Sequence, residues 1–202
     1  MPQLRRIVLI RHGETVGNSS VRFHGSSDVA LSDGGREQMR GAARGLRQEV
    51  FDLVVASPLK RSWEGAWIVA GGAPVRLEHD FREIHFGRWE GMTAEEIEAG
   101  DPVLYKDWRA KAGEFEFPGG EPRGEFRERT LRGLQRLENS GATSALVVAH
   151  KGTIRTIAEK LLGAPLEEGQ PPLGAAVALS LGSDGSWYPG RRGSNPEGLE
   201  AA

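Results

Sequence analysis

The segment Ile7-Val-Leu-Ile-Arg-His-Gly-Glu-Thr15 gives the strongest indication of the fold. Its first four residues are apolar and mostly β-branched, which is typical of a strand buried on both faces of a sheet. A polar loop with a glycine follows at once, so Arg11 and His12 come directly at the end of this strand. Open α/β sheets bind ligands at the carboxyl ends of their strands. The segment therefore predicts a buried parallel strand with a candidate binding site at its end.

Strands and helices alternate along the rest of the chain. Apolar runs predict further strands at residues 52–56, 75–77, 145–149 and 175–181. Ser57-Pro58 is expected to cap a helix and to place proline at its first position. The apolar face of that helix is predicted to hold Leu59, Trp63, Ala66, Trp67 and Ala70. The alternation predicts an α/β fold with three layers, in which helices flank a mainly parallel sheet.

The length of 202 residues favours one main domain. We expect residues 1–190 to form it, residues 85–125 to be a cap-like insertion and residues 191–202 to be a tail. The insertion is rich in aromatic side chains, which could form a small core of their own or pack against the organic part of a substrate. The sequence leaves both roles open for Phe86, Trp89, Tyr105, Trp108, Phe115 and Phe117.

Composition excludes several classes of protein. The formal net charge of -2 does not suggest a nucleic-acid-binding protein. The absence of cysteine excludes disulfides, thiol catalysis and thiolate metal sites. No apolar run is long enough for a signal peptide or a membrane span. We therefore expect a cytoplasmic protein that has no nucleic-acid or membrane partner and needs neither metal nor cofactor; a homo-oligomer remains open.

Cationic and imidazole side chains follow three of the predicted strands. Arg11 and His12 follow the first, Arg61 lies in the first turn of the next helix, and His150 ends the strand at 145–149. Helix N-termini at two of these places also favour an anion. Such a concentration of positive charge is relieved by a bound dianion such as phosphate. The sequence thus predicts a small cationic cup that binds phosphate.

These motifs resemble the histidine phosphatase superfamily, which has the phosphoglycerate mutase-like fold. The matching segments follow the family's order, and together they are specific: Leu9–Thr15 with Asn18, Ser57-Pro58-x-x-Arg61, Arg82–Gly91, Pro118-Gly-Gly-Glu121 and Val148-Ala-His150-x-Gly152. The resemblance implies a phosphoglycerate mutase-like α/β fold with a small helical cap subdomain.

The resemblance also implies roles for individual residues. His12 would be the nucleophile and would form a phosphohistidine. Glu83 would give a proton to the leaving ester oxygen and then act as the base for water, although a surface carboxylate is the alternative. The phosphoryl oxygens would be held by Arg11, Asn18, Arg61 and His150. Fixed cations suit this chemistry, because the transition state carries its charge on those oxygens.

The sequence departs from the family beside the cup. His24 stands before Gly25, where many relatives carry glutamine, and Lys151 stands between His150 and Gly152, where a glycine is common. We expect these four neighbours of the cup, His24, Gly25, Lys151 and Gly152, to contribute to phosphate binding. Lys151 either adds a cation or points to solvent. The departures bear on the substrate preference more than on the chemistry.

Three functions fit these residues. The first is hydrolysis of a small phosphate monoester, the second is a mutase that returns the phosphoryl group to a substrate hydroxyl, and the third is a non-catalytic phosphate-binding module. The segment from residue 83 to residue 150 is shorter than the corresponding segment of the mutases that the chain resembles. This favours the phosphatase branch, which includes α-ribazole phosphatases and broad-specificity phosphatases. All the chemical residues are present, which argues against a non-catalytic module.

Overall fold

A computed structural model of the chain describes residues 3–17, 21–111, 114–167 and 169–190. Six strands form one sheet in the order β3-β2-β4-β1-β5-β6. They are β1 (Arg6–Arg11), β2 (Leu53–Ala56), β3 (Val75–Leu77), β4 (Ser144–Ala149), β5 (Ala176–Leu181) and β6 (Trp187–Pro189). The first four strands run parallel, whereas β5 and β6 pair antiparallel. The predicted α/β fold with a mainly parallel sheet is confirmed.

The described residues form six α-helices and, between β3 and α3, two short 3₁₀ turns at His79–Phe81 and Gly87–Trp89. The helices are α1 (Asp33–Gly45), α2 (Lys60–Ala70), α3 (Ala94–Gly100), α4 (Pro102–Ala110), α5 (Arg123–Glu138) and α6 (Lys151–Leu162). None of the helices in this described part of the chain is both long and apolar enough to cross a membrane.

Helices cover both faces of the sheet, which explains the uninterrupted apolar run of β1. Val8 and Ile10 pack into the core beneath α1 and α2. Ile7 and Leu9 point the other way, into the core beneath α5 and α6. Because successive side chains of a strand alternate between faces, a strand in the middle layer needs apolar residues at every position.

The prediction for α2 was wrong in two respects. The helix begins at Lys60, not after Ser57, and no side chain caps it. Its buried side is formed by Arg61, Ser62, Gly65 and Ala66, whereas Trp63 and Trp67 are 41% and 68% exposed. The physical reason is the close approach of α1. A Cβ atom on Gly65 would lie 3.0 Å from Met39 Cε, so the part of α2 that packs against α1 has no room for a bulky side chain and the tryptophans face outward.

A third apolar cluster lies apart from the two cores of the sheet and forms a small helical cap with α3 and α4. Its buried members are Ile84, Trp89, Ile97, Phe115, Phe117 and Phe126. Trp89 stacks on Phe115 with ring centroids 5.1 Å apart. The helical cap is confirmed, while the domain boundaries at 1–190 and 85–125 stay predictions. The predicted tail, residues 191–202, falls outside the described residues.

Candidate active site

The candidate site lies where β1 and β4 end side by side. Arg11 pairs with Ala149 across these two parallel strands, and the His12 amide donates a 3.0 Å hydrogen bond to the Ala149 carbonyl. His150 follows Ala149 directly. The two imidazoles therefore meet edge to face, with their centroids 5.2 Å apart. The adjacent strands thus bring together two of the predicted site residues.

The surroundings of His12 fix its protonation. Nδ1 lies 2.7 Å from the Gly13 carbonyl, which can only accept, so Nδ1 carries the hydrogen. Nε2 then holds the lone pair, and it accepts a 3.2 Å hydrogen bond from Arg61 Nε. Burial, followed by the charge of Arg61, holds the pKa of His12 well below its ordinary value. The ring is therefore neutral at neutral pH, and its Nε2 carries no hydrogen.

Arg61 is fully buried on the first turn of α2. Besides its contact with His12, its guanidinium donates to the carbonyls of His24, Gly25 and Ser27 at 3.0, 2.6 and 2.6 Å. Burial lowers the pKa of Arg61 to about 10. Arg61 therefore stays charged at neutral pH and ties the loop at residues 24–27 to the rim of the cup.

Glu90 holds the same loop from the other side, and sequence reasoning did not assign it this role. Its carboxylate accepts hydrogen bonds from the amides of Ser26 and Phe86, each 2.9 Å long, and one of 2.5 Å from the Ser27 hydroxyl. Burial by itself raises the pKa of Glu90, but these hydrogen bonds together outweigh burial. The pKa of Glu90 therefore lies below its ordinary value. The only signal in the sequence was its place in the matched segment Arg82–Gly91.

His150 is completely buried, and two serines contact one of its nitrogens. Nε2 lies 2.8 Å from Ser57 Oγ and 3.3 Å from Ser62 Oγ. Burial and then the charge of Arg61 hold the pKa of His150 well below its ordinary value. The serine predicted as a helix cap is thus a partner of this imidazole. Both hydroxyls were missed from the sequence, because their role depends on a strand more than 80 residues away.

Several buried polar atoms around the cup lack a hydrogen-bond partner among the described residues. They include Arg11 Nε, both ring nitrogens of His24 and His150 Nδ1. Leaving a buried donor or acceptor unpaired costs about 1–3 kcal/mol. Their concentration in one place therefore indicates a site built for a polar ligand. Arg11 adds charge to it, although burial lowers its pKa.

Glu83 is buried and faces the same cup. Its carboxylate accepts 3.0 Å hydrogen bonds from its neighbour Ile84 and from the Gly152 amide at the start of α6. Its charge acts on both arginines of the cup, since it raises the pKa of Arg11 and of Arg61 against the larger effect of burial. The surface alternative for Glu83 is therefore wrong.

The two predicted phosphate-binding glycines have protein partners. The Gly25 carbonyl accepts from Arg61 and its amide donates to Glu90, while the Gly152 amide donates to Glu83. Asn18 lies outside the described residues. In the described part of the chain, no group of three or more His, Asp or Glu side chains is arranged to hold a metal ion.

A cavity of about 480 Å³ opens above the cup. Its floor includes Arg11, His12, His24 and Glu83, and Lys151 lies along its wall. Phe86 and Trp108 of the cap also line it, whereas Trp89, Phe115 and Phe117 are buried in the cap core. The cap-core role is therefore confirmed for Trp89, Phe115 and Phe117, whereas packing of Phe86 and Trp108 against a substrate stays a prediction. Further lining residues are Val21, Arg22, Phe23, Ala94 and Glu95.

Residues 7–182 match the family of the histidine phosphatase superfamily (branch 1), and the chain belongs to this superfamily. It is accordingly a hydrolase that acts on phosphate esters, and the resemblance found in the sequence is confirmed.

Named relatives agree with this class. A glucosyl-3-phosphoglycerate phosphatase of Mycolicibacterium vanbaalenii is 36% identical over 175 residues, which cover 82% of this chain and 77% of the relative. Phosphoserine phosphatase 1 of Hydrogenobacter thermophilus is 30% identical over 166 residues, covering 81% and 79%. The crystal structure of a putative α-ribazole-5'-P phosphatase from Escherichia coli matches with a TM-score of 0.81 and 28% identity, over 98% of this chain and 100% of that one.

Proposed function

We propose that the protein is a metal-independent phosphomonoesterase that moves the phosphoryl group of a small phosphorylated metabolite onto His12 and then onto water. The observation that carries this proposal is the hydrogen bond from His12 Nδ1 to the Gly13 carbonyl. It leaves the lone pair on Nε2, inside a cup whose other polar groups include Arg11 Nε and His150 Nδ1, neither of which has a hydrogen-bond partner among the described residues. A nucleophile in the right protonation state therefore stands among groups suited to phosphoryl oxygens.

In the first step, Nε2 of His12 attacks phosphorus as the bond to the ester oxygen breaks. Arg61 Nε, which donates to His12 Nε2 in the structure, turns to a phosphoryl oxygen when substrate binds. Arg11 and His150 contact the other oxygens, and we keep Asn18 as a further ligand. These fixed charges stabilise the transition state, where negative charge lies on the same oxygens.

Proton transfer is assigned to Glu83. In its protonated form it gives a proton to the departing alkoxide, which is otherwise a poor leaving group. The resulting carboxylate then takes a proton from the water that attacks the phosphohistidine. The N–P bond breaks, inorganic phosphate leaves, and both His12 and Glu83 return to their starting forms. The Ile84 and Gly152 amides hold the carboxyl group in place throughout.

The substrate is proposed to be a phosphate monoester whose alcohol part fits the cavity of about 480 Å³. The names of the relatives specify glucosyl-3-phosphoglycerate, phosphoserine and α-ribazole phosphate, all small phosphorylated compounds. We favour hydrolysis over the mutase reaction because the segment 83–150 lacks the longer insertion of the resembling mutases. Action in the cytoplasm on small molecules alone, and assembly into a homo-oligomer, stay predictions.

Replacing the nucleophile tests the proposal. His12→Ala should abolish turnover of p-nitrophenyl phosphate, whereas His79→Ala should not change it, because His79 is exposed on a 3₁₀ turn. Brief reaction with labelled substrate should leave acid-labile, alkali-stable phosphate on the wild type and none on His12→Ala. Turnover by His12→Ala near the wild-type level would refute the assignment. Loss of wild-type activity in EDTA would contradict metal independence.

A further inference from the structure

Arg129 of α5 is a buried arginine that the proposed chemistry does not use. It is only 9% exposed, and its guanidinium donates five hydrogen bonds. An arginine side chain has five N–H donors, so every donor of Arg129 is satisfied. Such complete use of a guanidinium indicates that what it holds must stay in one position.

Three of the five bonds go to consecutive parts of one irregular segment. Arg129 donates to the carbonyls of Asp80 and Arg82 at 2.8 and 2.7 Å and to the carbonyl of Glu83 at 3.1 Å. The Asp80 carbonyl lies within the 3₁₀ turn at His79–Phe81, and the carbonyls of Arg82 and Glu83 follow it, outside any regular helix or strand. Thr153 of α6 supports the same segment by donating to the Phe81 carbonyl at 3.2 Å. The backbone that carries Glu83 is therefore anchored by side chains from two helices.

The other two bonds of Arg129 form a bidentate ion pair with Glu121. Its Nε and Nη2 lie 2.6 and 2.8 Å from the two carboxylate oxygens. Glu121 also contacts the segment after Glu83, because its amide donates to the His85 carbonyl at 3.0 Å. Glu121 ends the matched segment Pro118–Glu121, which the proposed chemistry leaves without a role. The pair thus holds the backbone both before Glu83, through Arg129, and after it, through Glu121.

We propose that Arg129 and Glu121 form a clamp that positions Glu83 for proton transfer to the leaving oxygen. The inference rests on the proton-transfer role proposed for Glu83. One of the two amides that hold its carboxylate belongs to Ile84, in the clamped segment. If the segment shifts, the carboxyl group shifts with it. Lysine cannot replace Arg129, since a single ammonium does not reach three carbonyls and a bidentate carboxylate at once.

Substrates with different leaving groups separate positioning from a merely structural role. A p-nitrophenolate leaves readily without a proton, whereas an alkoxide needs one. We would measure kcat/KM for p-nitrophenyl phosphate and for propyl phosphate, since kcat/KM reports the steps up to release of the alcohol. Arg129→Lys and Glu121→Gln should each lose roughly 10–100-fold on the alkyl ester and less than about 3-fold on the aryl ester. Inhibition by inorganic phosphate should be unchanged.

Arg132→Lys is the matched control, because Arg132 lies on the same helix, is largely exposed and forms a long ion pair with the side chain of Asp80, at 3.8 Å. It should change neither ester. Equal losses on both esters, or full activity of either folded clamp variant on propyl phosphate, would overturn the proposal. If Arg129→Lys does not fold, Glu121→Gln tests the same clamp with almost no change in volume.

Glu83→Gln distinguishes the proton-transfer role of Glu83 from the clamp. A selective loss on propyl phosphate in Glu83→Gln, but not in the clamp variants, would refute the clamp alone. No selective loss in Glu83→Gln would refute the proton-transfer role and the clamp with it.

Discussion

Gly152→Ala places a methyl group where the structure has no room for one. A Cβ atom at this position would lie 2.5 Å from Glu83 Oε1 and 3.2 Å from Phe126 Cζ. Ordinary contacts begin at 3.4 Å, so Oε1 must move by about 0.9 Å. Phe126 is buried in the cap core and blocks relief on the other side. The carboxyl group of Glu83 is therefore the part that gives way.

A displacement of about 1 Å in a reacting group costs on the order of 100-fold in rate. We therefore expect Gly152→Ala to lower kcat/KM for an alkyl phosphate by about two orders of magnitude. Steady-state kinetics with propyl phosphate, beside a thermal unfolding curve, measures the effect. Gly124→Ala on α5 is the control, because a Cβ atom there meets nothing within 4 Å. Its activity should be unchanged, and its helix should gain up to about 1 kcal/mol of stability.

A Gly152→Ala protein with wild-type kcat/KM on the alkyl ester would contradict this expectation. It would show that the Glu83 carboxyl group does not need the position that the Gly152 amide gives it.

Two further predictions concern the cavity and the buried histidines. Trp108→Ala removes part of the apolar wall and should raise KM for p-nitrophenyl phosphate about 10-fold, as expected for the loss of ~1.4 kcal/mol of contact. The inhibition constant of inorganic phosphate should not change, and a rise in it parallel to that in KM would contradict this prediction. The lowered pKa values of His12 and His150 mean that, as the pH falls below about 6.5, the unfolded chain takes up protons before the folded protein does. The contribution of the two neutral histidines to the free energy of unfolding is therefore complete above that pH and is lost below it. The loss at pH 5.5 is about 1.4 kcal/mol for each histidine. Urea unfolding at pH 7.5 and 5.5 measures the loss, which should be about half as large in His150→Gln; an undiminished loss would exclude the histidines as its source.

The site could be predicted largely because it depends on strand ends. The apolar run before Arg11 and the run before His150 each indicate a buried parallel strand, and parallel strands end at one edge of a sheet. Local sequence therefore sufficed to bring the two imidazoles together. The α/β fold followed from the same alternation of strands and helices.

The remaining features depend on contacts between distant segments, which leave no local pattern. The tryptophans of α2 face outward because Met39 of another helix lies against Gly65. Arg129 donates to the backbone carbonyls of residues 80, 82 and 83, and any residue type supplies a carbonyl. Periodicity and composition record neither fact, so the orientation of α2 was predicted wrongly and the clamp was not predicted.

The two ends of the cavity come from different parts of the chain. The cationic floor is built on strand ends and helix starts of the central sheet layer, while Phe86 and Trp108 belong to the peripheral cap. Substitutions in the cap can therefore change which alcohol is accepted and leave the bond-breaking groups untouched. This separation gives such a scaffold an easy route to new substrates, since selection can act on recognition without rebuilding reactivity.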